Sequence, residues 1–473
     1  MHELPAQATD GPHAPGPDRA MKLLNTQVGR IALASLVCLG GLSAVHGGEF
    51  EKAYAAALEN DAKFQAAKAA LASGQQALPL ARSSVLPSVN ATISETSVQG
   101  TQDYDVAGGA SKSNNLDYRA PTQSISLRAP LLNLEGRARV RQANAQVGNA
   151  EATFLTRKAE LVDRLAVAYL QRMLAEDAFL SLHAQVHATV AQRNLMRRRF
   201  EQGEGTRTEV AEARANLSLT MAQWADSKDQ MTNARELLNS LTGLNQPFLV
   251  RLGDEFTPPP LVPATLQEWQ EKAVAANPDV QARRYLVDAA DALVARSNAG
   301  HMPRLDLVAS VSNSRNESVS SLNQTVNQSA IGLQLNIPIY SGGAVKAAVT
   351  QAIAEKSKAE AEWLNEKRSL EVEVSRLFQV IQTGKSKLLA YEDVLDASRT
   401  ALEGTLKGQA SGLRTNADVL EAVRKVFQAQ RDLAQARYDH IFQRLRLFNK
   451  AGVPADSVVS YIDELLSPQR DTP

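Results

Sequence analysis

Proline is missing from two stretches of this chain, each roughly 115 residues long: Leu131 to Gln246 and Ile339 to Val453. Proline breaks helices by removing a backbone donor and crowding the preceding turn, so both stretches can hold very long unbroken helices. Cysteine is nearly absent. Cys38 stands alone, which excludes a disulfide within the chain and a thiolate metal site. Net charge is absent as well, with 51 basic residues against 51 acidic ones. No electrostatic footprint for nucleic acid is present, and the cluster Arg193, Arg197, Arg198 and Arg199 reads as a solvated helix end. No segment reaches the ~18 consecutive apolar residues of a transmembrane helix.

What the proline-free stretches do contain is a repeated period. Leu161, Leu165, Ala168, Ala175, Phe179, Leu182 and Val186 follow a 4-3-4-3 spacing with one step skipped. Leu370, Val374, Leu377, Ile381, Leu388, Tyr391 and Leu395 repeat it about 209 residues later. A sustained 3.5-residue apolar period predicts helices that wind around neighbours with left-handed twist. Its duplication predicts two copies of one unit.

Other elements recur too. Asn60-Asp61-Ala62-Lys63-Phe64 answers to Asn277-Pro278-Asp279-Val280-Gln281, and Leu86-Pro87 to Met302-Pro303. Leu127-Arg128-Ala129-Pro130-Leu131 answers to Leu335-Asn336-Ile337-Pro338-Ile339, and Gly203-Glu204-Gly205-Thr206 to Gly412-Leu413-Arg414-Thr415. Residues 1–47 read as an unstructured leader followed by a secretory signal peptide: Lys22 and Arg30, the apolar run Ile31 to Leu42, then small residues. Translation could start at Met1 or Met21. Val37 before Cys38 argues against a lipobox. The first repeat is expected over 48–242, a linker with Pro258-Pro259-Pro260 over 243–264, the second repeat over 265–452, and a polar tail over 453–473. Each copy reads helix (about 49–82, about 265–298), strand, loop, strand, long helix, turn, shorter helix. The long arm, of about 67 residues, would span roughly 100 Å. The shorter helices suggest a rod in which one continuous helix lies beside two stacked ones.

The strands alternate. Val89, Ala91 and Ile93 oppose Asn90, Thr92 and Ser94; Leu305, Leu307, Ala309 and Val311 oppose Asp306, Ser310 and Ser312; Ile331, Leu333 and Leu335 oppose Gln334 and Asn336. This is the pattern of a barrel with an apolar outside and a polar lumen. The alternative is a half-buried sheet on a soluble core. Polar loops are expected at about 95–121 and 313–329. Four strands cannot enclose an aqueous lumen, since membrane barrels need about eight or more; a trimer would supply twelve. The fold class is therefore mainly α with membrane β.

The tandem repeat, Asn277-Pro278, the strand exit Leu335 to Gly343 and the turn Gly412 to Ala422 together resemble the TolC family of outer-membrane channel proteins, over about Glu49 to Gly452. The resemblance implies a homotrimer with a twelve-stranded outer-membrane barrel and a helical periplasmic tunnel. It implies a periplasmic adaptor and an inner-membrane transporter as partners, and no cofactor. The modest strand loops look more like the protein-secretion branch, type I secretion, than the lipoprotein efflux branch; small-molecule efflux is the alternative. It also implies a gate at the periplasmic turns. Carried over by position, the gate's basic residue falls on Arg414, its acidic partner on Glu209 beside Thr208, and an acidic entrance ring on Asp418 and Glu421. A family tyrosine falls near Gln409, so one latch element differs. The first-copy positions aligned with Arg414 and Asp418 are Gly205 and Glu209. Alternatively, all four charged residues are ordinary helix-end charges.

His183 and His187 lie four apart, a spacing that can present two metal ligands, but no third ligand or HExxH arrangement accompanies them. They read as a solvated or packed pair. No Ser-His-Asp signature, phosphate loop or paired-carboxylate pocket is apparent, so no enzyme is expected. A soluble coiled-coil scaffold would explain the helices but not the strand pairs placed alike in both copies.

Overall fold

The computed structural model describes residues 48–106, 108–245, 252, 256–317 and 323–466. The leader and signal-peptide reading and part of the linker lie outside these residues. The first copy runs α1 (Glu49–Asn60), α2 (Ala62–Gln75), α3 (Ala77–Arg82), β1 (Ser88–Val106), β2 (Ala110–Leu132), α4 (Leu134–Glu201) and α5 (Arg207–Thr242). The second runs α6 (Leu266–Ala276), α7 (Pro278–Asn298), β3 (Arg304–Glu317), β4 (Asn323–Asn336), α8 (Ala344–Ala410) and α9 (Asn416–Lys450), and α10 (Ala455–Leu466) follows. The long helices α4 and α8 hold 68 and 67 residues. Helix α4 packs against α5 along its lower part and against α2, α3 and α7 above; α8 packs against α9 below and α6 and α7 above.

Three expectations change. The helix expected over 49–82 is broken twice. Asp61 turns the chain, and its carboxylate accepts the Phe64 N–H as the cap of α2. Pro79 lies in the first turn of α3, where its missing donor costs nothing; in an unbroken helix its ring would crowd the Gln75 carbonyl. The helix over 265–298 breaks at Asn277, which caps α7 by accepting the Asp279 and Val280 N–H groups. The counterpart of Asn277 is therefore Asp61 rather than Asn60, one residue away from the sequence alignment. What the two positions share is a side-chain acceptor.

The loops expected at about 95–121 and 313–329 are largely strand. β1 and β2 stay paired out to Val106 and Ala110, reversing through Gly108 and Gly109, both at positive φ. Backbone pairing needs no apolar face once both faces are wet, so the polar stretches continue the ladder. The tail over 453–473 is not simply polar either: Val458, Val459, Ile462 and Leu466 of α10 are buried against α1 and α4.

The four strands form one antiparallel sheet in the order β1-β2-β3-β4. Its register puts Val89 opposite Leu127, Ile125 opposite Val311, and Ala309 opposite Ile331. One face is thus continuously apolar, and it is open: Ile93 is 81% and Ile331 78% exposed. The other face carries Ser124, Ser126, Ser310 and Ser312. At its base Asp306 is buried between Arg128 (2.5 Å) and Arg304 (3.2 Å). Among the described residues, both β1 and β4 leave an open edge.

The helical cores follow the period. Phe50, Leu161, Leu165, Tyr169, Met173, Leu238, Ile441, Leu445 and Val458 form the largest cluster. Trp269, Leu370, Val374, Leu377, Ile381 and Leu447 form a second, and Leu388, Leu395, Val426 and Leu433 a third. Between the second and third the heptad positions are Gly384 and His440. His440 is buried, neither ring nitrogen has a hydrogen-bond partner among the described residues, and a Cβ on Gly384 would stand 2.7 Å from its Nδ1.

Candidate functional site

Both helical hairpins reverse through the same local chemistry. α4 ends at Glu201 and α8 at Ala410, and the chain then turns through Gly203 and Gly412, whose φ values are 79° and 77°. That left-handed conformation favours glycine because it carries no Cβ. The Glu204 N–H donates to Arg199 O (2.9 Å) and the Leu413 N–H to Gly408 O (2.8 Å), closing both helix ends alike. The next helix then opens on a capping box. Thr206 Oγ1 accepts the Glu209 N–H (3.2 Å), and Glu209 Oε2 accepts the Thr206 N–H (2.8 Å). In the second copy Thr415 Oγ1 accepts the Asp418 N–H (3.2 Å), and Asp418 Oδ2 accepts the Thr415 N–H (2.9 Å). Two orphan donors per helix are satisfied reciprocally.

The expected site residues fall on this frame. Glu209 and Asp418 turn their carboxylates back on their own helix ends. The Thr415 N–H and hydroxyl, helped by Arg414, hold the Asp418 carboxyl below the usual range. Glu421 pairs with Arg424 (2.7 Å) and Lys425 (3.6 Å) on its own helix. Thr208 lies in the first turn of α5. Arg414 lies in the turn, its side chain folded back over Gly408; among the described residues of this chain no carboxylate stands within ion-pair distance of it. One chain thus does not bring Arg414 and Glu209 together. Gln409 is buried.

The structure also places residues that were not singled out from the sequence. Gln192 Nε2 donates to Asn416 Oδ1 (2.8 Å), a buried bond tying α4 to the start of α9. Arg431 donates to Gln185 (3.2 Å), and the Tyr438 hydroxyl to Asp177 (2.7 Å). The hairpins of one chain are therefore joined in their lower halves by hydrogen bonds. Glu212 lines a small cleft with Glu421 and Arg424. A signal for Gln185 and Gln192 was present: with buried Thr189 and Met196 they keep the 4-3-4 core spacing, but with polar side chains.

A family profile described as "Outer membrane efflux protein" matches residues 53–244 and 269–453. The chain belongs to that family. This outer membrane efflux protein is 32% identical over 402 residues to the alkaline protease secretion protein AprF of Pseudomonas aeruginosa, covering 85% of this chain and 83% of that one. It is 32% identical over 433 residues to the proteases secretion protein PrtF of Dickeya chrysanthemi, covering 89% and 92%. It is 27% identical to the outer membrane protein TolC of Vibrio cholerae, covering 89% and 94%. The crystal structure of the outer membrane protein VceC from Vibrio cholerae has the same fold, with a TM-score of 0.72 at 19% identity over 85% of this chain and 96% of that one. The TolC-family resemblance is thereby borne out. The apolar sheet face is the outer-membrane face of an export channel, and the helices form the tunnel below it.

Proposed function

We propose that three copies of this chain form the exit duct of a type I secretion system, through which proteins leave the cell. The likeness to AprF and PrtF over most of the chain, both named for protease secretion, carries this reading. The sheet supports trimerisation. Its two open edges and apolar face cannot stay unpaired in hydrocarbon, and twelve strands would close a barrel. A periplasmic adaptor would dock on the helical hairpins and link them to an inner-membrane transporter. The duct contributes passage and closure, with no chemistry of its own.

The gate lies at the turns. Arg414, unpaired within the described part of its own chain, is free to meet a carboxylate of a neighbouring copy, with Glu209 the expected partner. That contact would have to compete with Glu209's capping bonds. Asp418 and Glu421 lie about one helical turn apart and would ring the entrance. The Gln192–Asn416 and Arg431–Gln185 bonds hold each chain's hairpins together beside it. Such contacts contribute about 1 kcal/mol each, small enough for a docking adaptor to overcome.

Deleting the chain's gene from its host should abolish export of a secreted protease while its transporter and adaptor are still made. Unchanged secretion with raised drug sensitivity would move the reading to small-molecule efflux. In planar bilayers Arg414→Ser should raise the resting conductance several-fold; conductance equal to the parent channel would place closure on other residues.

A further inference from the structure

The first hairpin carries a side-chain arrangement that the duct does not use. His183 and His187 stand one turn apart on α4, and their Nε2 atoms face each other at 3.3 Å. That is long for a hydrogen bond between two nitrogens. It matches the separation of two nitrogen ligands held 2.0–2.1 Å from one tetrahedral ion, about 3.3 Å. Both imidazoles are exposed, so water can complete the coordination.

His183 is also held in place. His183 stacks on Phe179 (centroids 6.5 Å, planes 17° apart) and lies 5.7 Å from the Trp224 ring of α5. The Phe179 ring is itself stacked on Trp224 at 5.8 Å. A side chain already fixed by packing loses little freedom when it ligates. The arrangement is particular to one copy: about 209 residues on, the matching positions are Glu392 and Asp396, and Leu433 replaces Trp224. Glu392 there is engaged by Arg437 at 3.2 Å.

We propose that His183 and His187 form a two-imidazole site for a late first-row transition cation such as Zn²⁺ or Cu²⁺. Among the described residues no group of three or more His, Cys, Asp or Glu side chains could hold a metal, so the remaining positions belong to water and the site is an exchangeable one. Nitrogen ligands favour Cu²⁺ over Ni²⁺ and Zn²⁺ and reject Mg²⁺ and Ca²⁺, which take oxygen. A bound ion would staple one turn of α4 beside the aromatic contact to α5.

Trp224 supplies the readout, as one of three tryptophans in the chain and the one packed on His183. The full-length channel, purified in detergent without a polyhistidine tag, should lose part of its tryptophan fluorescence on titration with Cu²⁺. EDTA should restore it, excess Zn²⁺ should compete, and Mg²⁺ should do neither. His187→Asn and His183→Asn alter exposed side chains and leave the Phe179–Trp224 stack intact. Each should remove the saturable phase while the channel elutes at the parent's size. A saturable quench that persists in both variants, or none in the parent channel up to millimolar Cu²⁺, would overturn the site.

Discussion

Where α4 and α5 meet, Phe179 and Trp224 stack and Leu217 is buried; at the same level of the second copy Leu388, Val426 and Leu433 fill the seam between α8 and α9. One layer further from the turns the two hairpins part. The first places Ala175 and Met231 there, the second Gly384 and His440. Leu377 and Ile381 resume the apolar seam of α8 above this layer. The period of the helices has been kept while the apolar volume at one layer has been withdrawn. The His440 ring fills the hole the glycine leaves, with both nitrogens unsatisfied and a cavity of about 360 Å³ alongside. A layer with less apolar packing and an unsatisfied polar ring holds its helices together less firmly. The second hairpin is therefore the one expected to part first when the tunnel moves.

Acid should widen this difference most. Burial, with the Arg444 guanidinium nearby, pushes the His440 imidazole down from 6.5 to about 4. Lys387 and Tyr391 of α8, and Asp432 and Asp439 of α9, line the adjoining cavity. A folded value below the unfolded one means the folded state binds fewer protons. Stability is then full above pH about 6.5 and falls as the pH drops toward about 4, by up to about 3 kcal/mol per chain. Hydrogen exchange at α8 and α9 around this layer should quicken over that window. In His440→Met the added exchange should vanish, and a variant that tracks the parent's pH dependence would locate the effect elsewhere.

Side-chain volume offers a second comparison. Gly384→Leu drives a branched side chain into His440 and should cost about 1–3 kcal/mol in denaturant unfolding. Ala175→Leu at the equivalent first-copy layer points into an existing cavity lined by Ala175, Ala178 and Leu433 and should cost less. Pairing Gly384→Ala with His440→Met, which installs the first-copy chemistry, should recover more stability than the two changes sum to separately. Simple additivity would mean that the two residues do not share a layer. The smallest expected effect is at the turns. Thr206→Ala and Thr415→Ala should each cost about 1 kcal/mol, seen as faster amide exchange in the first turn of α5 and of α9. Unequal losses would show that one cap has contacts outside its own chain.

Much of this architecture was legible because it is periodic. The heptads of α4 and α8, the alternation of β1 to β4 and the glycine turns depend on spacing that a chain displays locally. What escaped was set by partners distant in sequence. The cap at Asp61 also receives Arg164, 103 residues away, at 2.9 Å, and nothing near Asp61 announces it. The helical spacing of Val458, Ile462 and Leu466 was visible after Pro454, but its burial depends on α1 at the other end of the chain. At the candidate gate the residue types were readable while their company was not. Glu209 and Asp418 sit three residues after threonines, a capping signature, and the structure gives their carboxylates that local task. The bonds between hairpins come from Gln185 and Gln192, polar residues in core register.

The contact between α1 and α10 sets an order of events. Asp463 accepts the Phe50 N–H at 3.0 Å and the Glu51 N–H at 2.9 Å, so the first described helix is capped by a residue of the last. Gly48 leaves the room for it, since a Cβ there would fall 2.0 Å from Asp463 Oδ1. A helix made early thus waits, with the Phe50 and Glu51 amides unanswered by Asp463, until some 400 further residues have been synthesised. The contact between α1 and α10 cannot close while the chain is still being made. Until α10 arrives the chain is a client for whatever keeps unfinished chains from sticking to one another, and a chain cut before α10 would remain one.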